Sequence, residues 1–227
     1  KVLPFTLPVP HDHSIMVQEE VLPHFYTYLH RHAEIQITWI QKGEGTLLAG
    51  NNMHVFREGE IYMIGANLPH LFKSDPAYFL PDNDMEVRAI TIFFNPSGKL
   101  SALFALPELK NVLAFISQHP SGFKVPDTMY ADMVKKITTI QHTGGAEQLY
   151  RFIELLNVLT TIHDPQPLSS GSYAFSMTDP EGMRIASVYN YIMQNYASPL
   201  SLEDVAMKHH LTPTGFWRYL KKHTRHT

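Results

Sequence analysis

The stretch PHFYTYLHRHAEIQITWIQKGEG, residues 23–45, sets His30, His32, Glu34 and Gln36 at alternate positions ahead of a glycine turn. If the stretch is a strand, these four side chains project to one face while Ile35, Ile37 and Trp39 project to the other. The polar face is then not the main hydrophobic core. Three uses are open to it: imidazole and carboxylate groups can hold a divalent ion, the same groups can hydrogen-bond an organic ligand inside a small barrel, or they can face water.

The remaining composition narrows the chemistry. The 227 residues include 14 histidines and no cysteine, which excludes disulfides, thiolate metal sites and thiol catalysis. A reducing, cytoplasmic setting fits that absence, and no leader follows Lys1, so a trimmed start is expected. No apolar run approaches the roughly 20 residues of a membrane helix, so no membrane partner is expected. The net charge of −3 is unevenly spread. Residues 1–179 carry 12 Lys and Arg against 18 Asp and Glu, whereas residues 180–227 carry 6 against 3. An acidic body with a basic tail suits a protein whose tail alone meets a polyanion.

The elements that must carry these residues change character near residue 95. From Phe25 to Phe94 short strands alternate with turn signals at Gly43-Glu44-Gly45, Gly50-Asn51-Asn52, Glu58-Gly59-Glu60 and Asn67-Leu68-Pro69. Helical spacing follows over Leu100 to Ile116, Met129 to Ile140 and Glu147 to Ile162. The last of these is apolar over a wide arc, which suits packing on two sides: its own sheet and a second subunit of a homodimer, or two neighbours within one domain. Residues 164–179, rich in proline, serine and glycine, read as a linker. The expected organisation is α+β, with residues 1–163 as one domain and residues 180–227 as a small all-α domain. His11, His13 and His24 fall in a proline-rich arm and are expected to be exposed.

In the tail, Asp179-Pro180-Glu181 starts one helix, Ser201 with Asp204 a second, and Thr212-Pro213 a third. The second and third are spaced as in a helix-turn-helix. Phe216 and Leu220 should pack on Val205 and Ala206, with Thr214, Trp217, Arg218 and Lys221 outward. Leu200-Ser201-Leu202-Glu203-Asp204-Val205-Ala206, His210-Leu211-Thr212-Pro213 and Phe216 through Thr224 resemble the DNA-binding domain of the AraC family of bacterial transcription regulators. That resemblance implies base contacts from Thr214, Trp217 and Arg218, and phosphate contacts from Lys221 and Lys222. Gly215 and Leu220 depart from the family pattern. It also implies a second helix-turn-helix beyond Thr227, so the chain is expected to be a truncated or partly ordered piece of a longer regulator.

The spacing His30-x-His32, Gln36, Gly43 resembles the first cupin motif, and GEIYMIGANLPH, residues 59–70, resembles the second, with His70 as its closing histidine. The implied fold is a cupin-like β-barrel of jelly-roll type. The implied sites are an effector pocket with His30, His32, Glu34, Gln36 and His70, and a divalent-metal set of His30, His32 and His70. Gln36 stands where the family has an acidic ligand. The expected function is a ligand-responsive, sequence-specific DNA-binding regulator that needs no cofactor and takes a small-molecule effector, carbohydrates being among the candidates. The alternative is a metal-dependent cupin enzyme, an isomerase or dioxygenase, using the three histidines.

Overall fold

Alternating apolar and polar side chains lay the first half of the chain into two five-stranded sheets. The computed structural model describes residues 3–4, 13–81, 83–169, 188, 191, 201–208 and 211–224. Its strands are β1 (Leu3–Pro4), β2 (Ile15–Leu22), β3 (His30–Arg31), β4 (Ile35–Lys42), β5 (Gly45–Ala49), β6 (Asn52–Phe56), β7 (Ile61–Ile64), β8 (His70–Ser74), β9 (Val87–Phe94) and β10 (Phe123–Lys124). One sheet has the order β1-β3-β8-β5-β6 and the other β10-β7-β4-β9-β2. Among the described residues every strand pairing is antiparallel except β1 with β3. This mixed α+β architecture is consistent with the jelly-roll sensor expected from the sequence.

The helices are α1 (Ser101–Phe104), α2 (Lys110–Gln118), α3 (Tyr130–Gln141) and α4 (Gly145–Leu159), then α5 (Leu202–Lys208) and α6 (Pro213–Thr224). A single helix over Leu100 to Ile116 does not form, because Pro107 breaks the run and opens a short 3-10 turn at Pro107–Leu109. The second and third expected helices are present as α3 and α4.

Strand alternation divides the apolar side chains into two cores. Ile35 and Ile37 of β4, Ile61 and Met63 of β7, and Ile90, Ile92 and Phe94 of β9 face the helices, where they pack with Phe104, Ile116, Ile137, Phe152 and Leu156. Ile40, Tyr62, Ile64, Val87 and Ala89 point the other way, toward Leu47, Phe56, Leu71 and Phe72 of the facing sheet. The wide apolar arc of α4 is largely taken up within the chain. Phe152 meets Phe94 of the sheet with ring centroids 4.9 Å apart, and Phe152, Leu155, Leu156 and Leu159 are all buried in the shared core with Met133 and Ile137 of α3.

The start of the segment read as a linker is docked rather than free. Leu168 is 2% exposed and joins the core between the sheets. Its N–H donates to Gly122 O at 3.0 Å, the His54 ring donates to its carbonyl at 2.7 Å, and Pro167 bridges to Phe123. Ser169, also buried, donates from Oγ to Asn51 Oδ1 at 2.7 Å and accepts from Ser121 Oγ at 3.1 Å. Gly122, whose carbonyl takes the Leu168 N–H, lies close against β7: its φ is +70°, and a Cβ there would stand 2.0 Å from Met63 O. Residues 170–187, 189–190 and 192–200, including most of the expected linker and all of the first helix of the tail but Val188 and Tyr191, lie outside the described residues.

In the tail, Ser201 and Asp204 form a reciprocal cap at the start of α5. Ser201 N donates to Asp204 Oδ2 at 3.0 Å, and Asp204 N donates to Ser201 Oγ at 3.1 Å. Phe216 packs with Val188, Val205 and Ala206 as the periodicity required. Leu220 and its neighbours to the end of α6 have side chains outside the described residues.

Candidate functional site

The four polar residues of the opening stretch do not lie on one strand. β3 ends at Arg31 and β4 begins at Ile35, because residues 32–34 carry the chain from one sheet to the other. Asn67, at φ +59°, donates its N–H to His32 O at 2.8 Å and so ties the crossover to the β7–β8 loop. His30 stands opposite His70 across the β3–β8 pair, His32 sits at the crossover, and Gln36 enters from β4. The residues therefore converge at the seam between the sheets. Ring centroids lie 4.4 Å apart for His30 and His70, and 5.0 Å apart for His32 and His70.

Each imidazole is oriented by a backbone carbonyl. Nδ1 of His30 bonds Tyr28 O at 2.9 Å, Nδ1 of His32 bonds Glu34 O at 2.9 Å, and Nδ1 of His70 bonds Leu68 O at 2.8 Å. A carbonyl only accepts, so Nδ1 carries the proton in all three and Nε2 carries the lone pair of the neutral ring. Burial keeps the rings neutral. The His30 imidazole is lowered to about 4, first by burial and then by neighbouring His32. His32 is lowered by burial against the hydrogen bond to Gln36 and the nearby Glu34 carboxylate. His70, 1% exposed, is driven well below the usual range by burial and by both other histidines.

The Gln36 amide spans the cluster. Its Oε1 lies 2.9 Å from Nε2 of His32 and 3.1 Å from Nε2 of His70, and its Nε2 lies 3.0 Å from Thr38 Oγ1, which in turn pairs with Thr91 Oγ1 at 3.0 Å. Two lone pairs facing an amide oxygen need a donor or a cation between them. Turning the amide by 180° supplies the donor: both N–H groups then point at the imidazoles and the oxygen accepts from Thr38. A cation supplies the alternative, with the oxygen facing inward. One ring nitrogen from each of His30, His32 and His70 lies within 4.8 Å of the others. Backbone-oriented imidazoles of one tautomer are the usual support of metal-ligating histidines, so the donor set fits a divalent ion held by three imidazoles with Gln36 as a weak fourth ligand.

Above this floor lies a cavity of about 350 Å³ between the two sheets, lined by His30, His32, Gln36 and His70 together with side chains absent from the sequence expectations. Gln18 and Glu20 reach it from β2, Thr38 from β4, Thr91 and Phe93 from β9, and Phe72 from β8. His24 and Tyr26 close one side, with His24 stacked on Phe79 at 4.5 Å. His24 is thus a half-buried wall residue and not an exposed one. His13 is exposed as expected, and His11 lies outside the described residues. Glu34 is not part of the lining; its carboxylate stands 3.7 Å from His32 Nδ1, behind the ring. The signal for the missed residues was slight: Thr38 and Thr91 are single polar positions in apolar strands, and β2 hides its amphipathic alternation in IMVQEEVL.

On α6, Thr214, Trp217 and Arg218 are exposed, Trp217 to 49%. The side chains of Lys221 and Lys222 lie outside the described residues. Among the described residues no helix is long and apolar enough to cross a membrane.

The chain is similar to ToxT from Vibrio cholerae at 9% identity, covering 95% of this chain and 96% of that one with a TM-score of 0.41. It is similar to ToxT bound to (E)-4-(8-methylnaphthalen-1-yl)but-3-enoic acid at 10% identity, with coverages of 95% and 97% and a TM-score of 0.42. The AraC-like transcriptional activator CuxR gives 9% identity, coverages of 92% and 70%, and a TM-score of 0.43. Likenesses at this level carry no conclusion about function. No curated protein matches the chain. Residues 14–97 match the family described as the AraC-like ligand binding domain, a span running from the start of β2 through the end of β9 and holding every residue of the histidine cluster. This part of the chain is similar to that family.

Proposed function

We propose that the protein is a ligand-responsive, sequence-specific DNA-binding regulator of the AraC type, in which a small organic effector binds between the sheets and alters how the tail engages DNA. One observation carries the effector half: a preformed cavity, walled by aromatic rings and floored by convergent polar groups, inside a domain similar to the AraC-like ligand-binding family. Support for the DNA half is the excess of basic residues after residue 180 and the exposure of Thr214, Trp217 and Arg218 on a helix whose opposite face packs on α5. Residues 1–163 are the sensor, residues 180–227 the reading head, and the working unit a homodimer, as the family resemblance implies.

The test is selection of genomic fragments by the protein at about 150 mM salt, where nonspecific phosphate binding is weak. A defined site should be enriched, Arg218→Ala should relax its sequence preference, and a cognate effector should change the affinity. Failure to enrich any site, with or without a metabolite library, would refute the regulator. If the library also left the thermal stability of the protein unchanged, the effector site would fall with it.

A second reading has the three converging imidazoles in its favour: His30, His32 and His70 hold a divalent ion, with Gln36 beside them. Such an ion would polarise a bound oxygen ligand, and the chain's own part would be to fix the three rings through Tyr28 O, Glu34 O and Leu68 O. Elemental analysis of protein purified without chelator decides it, and a metal-dependent enzyme needs a stoichiometric ion.

A further inference from the structure

The cavity's polar groups ask for one kind of partner. At the imidazole end each Nδ1–H is spent on a backbone carbonyl and Nε2 of His32 and His70 face the Gln36 amide, so the neutral rings offer a ligand neither a positive charge nor a spare N–H. At the other end stands Glu20, whose Oε1 accepts a hydrogen bond from Gln18 Nε2 at 2.9 Å, a neutral donor. None of the described lining residues is Lys or Arg, and no ion pair links Glu20 to a described cation. Between the two ends the walls are the rings of Tyr26, Phe72 and Phe93. Glu20 pairs with Ala89 across β2–β9 and Gln36 pairs with Phe93 across β4–β9. The two ends therefore lie four residues apart along β9, about 13 Å at ~3.3 Å per residue.

We propose that the effector is an elongated cationic amine with an aromatic or apolar body, its ammonium on Glu20 and its far end directed at the histidine cluster. The proposal deepens the reading of this cavity as an effector site and rests on it. A carboxylate or phosphate ligand would lose its hydration to face acceptors and a like charge, an uncompensated cost. An ammonium gains a carboxylate and aromatic faces together. Burial raises the Glu20 carboxyl above its ordinary range, the mark of a desolvated acid lacking a counter-charge.

The test uses three matched probes and isothermal calorimetry on the intact chain: tyramine, tyrosol, which replaces the ammonium by a hydroxyl, and 3-(4-hydroxyphenyl)propanoate. Tyramine should bind about tenfold or more tighter than tyrosol, the worth of one charge-assisted pair, and the propanoate should not bind. Glu20→Gln should erase the preference for tyramine while leaving tyrosol affinity unchanged, an outcome that a folding defect would not produce. Equal or tighter binding of the propanoate overturns the proposal, and binding of it only with added zinc does so in favour of the metal. Persistence of the tyramine preference in Glu20→Gln overturns it as well. If none of the three binds, the amine class is wrong; the effector reading then stands or falls separately on the metabolite library.

Discussion

Replacing Leu168 by alanine tests whether the N-terminal domain ends where its helices do or includes the strap that follows. Leu168 is 2% exposed and packs into the core between the sheets, with its N–H on Gly122 O and its carbonyl accepting from His54. The substitution removes three buried carbons. At about 0.8 kcal/mol each this is about 2.4 kcal/mol of lost transfer energy, and the unfilled space raises it to roughly 3–4 kcal/mol. With an m-value of about 2 kcal/mol/M, the urea midpoint should fall by roughly 1.5–2 M while the slope stays constant. Leu106→Ala, at a side chain 47% exposed, is the control and should cost less than about 0.5 kcal/mol. Ser169→Ala should cost about 1 kcal/mol through its bond to Asn51. A Leu168→Ala midpoint within error of the Leu106→Ala midpoint would show that the strap is undocked and that the domain closes near residue 163.

Three further outcomes are expected. Gln36→Glu places a carboxylate beside Nε2 of His32 and His70 and should tighten zinc binding at least about tenfold by competition calorimetry; unchanged affinity would mean that the three imidazoles do not form a site. The His30 imidazole is lowered to about 4 from an ordinary 6.5, so its neutral, buried form contributes stability that is present above pH 6.5 and is lost as pH falls through 4, at most about 3 kcal/mol. Urea unfolding in chelator between pH 7 and pH 4 should therefore be less steeply pH-dependent in His30→Gln than in the parent, and parallel profiles would contradict this. Gly122→Ala should lower stability by about 2 kcal/mol or more, read as a fall in Tm, because the new Cβ meets Met63 O at 2.0 Å in a left-handed backbone; a neutral result would contradict the close approach of Gly122 to β7.

The parts of the fold that sequence alone reveals are those whose pattern has one explanation. Ile61-Tyr62-Met63-Ile64 between turn residues, Val87–Phe94, α3 and the Ser201–Asp204 cap were all readable because period and punctuation agree. β2 was not, since Gln18, Glu19 and Glu20 in sequence look like a solvated loop; only the structure shows Gln18 and Glu20 turned into the cavity while Glu19 accepts a hydrogen bond from Gln141 of α3. The break at residues 32–34 was hidden for a different reason. Alternation runs unbroken from His30 to Gln36, and nothing local records that the chain changes sheets there. Leu168 was lost in a serine- and proline-rich setting, where one apolar residue carries no period.

The ambiguity of the opening stretch, ligand site or water, has a structural resolution that could have been reached from the sequence. A strand with one polar and one apolar face ordinarily turns the polar face to water. That inference fails for β4 and β9, because helices α1 to α4 bring a broad apolar surface that must cover the outer face of a sheet, and Ile35, Ile37, Ile90 and Ile92 supply that face. Once the apolar face is claimed by helices, the opposite face can only meet the second sheet. Polar residues there, Gln36, Thr38 and Thr91, cannot reach water from inside a sandwich and must satisfy one another or a guest. They do both: the chain from Thr91 through Thr38 to Gln36 is closed by hydrogen bonds, and the imidazoles beyond Gln36 open on the cavity. A polar stripe on a strand sandwiched between helices and a second sheet is therefore a cavity signal, and its position names the floor before any ligand is known.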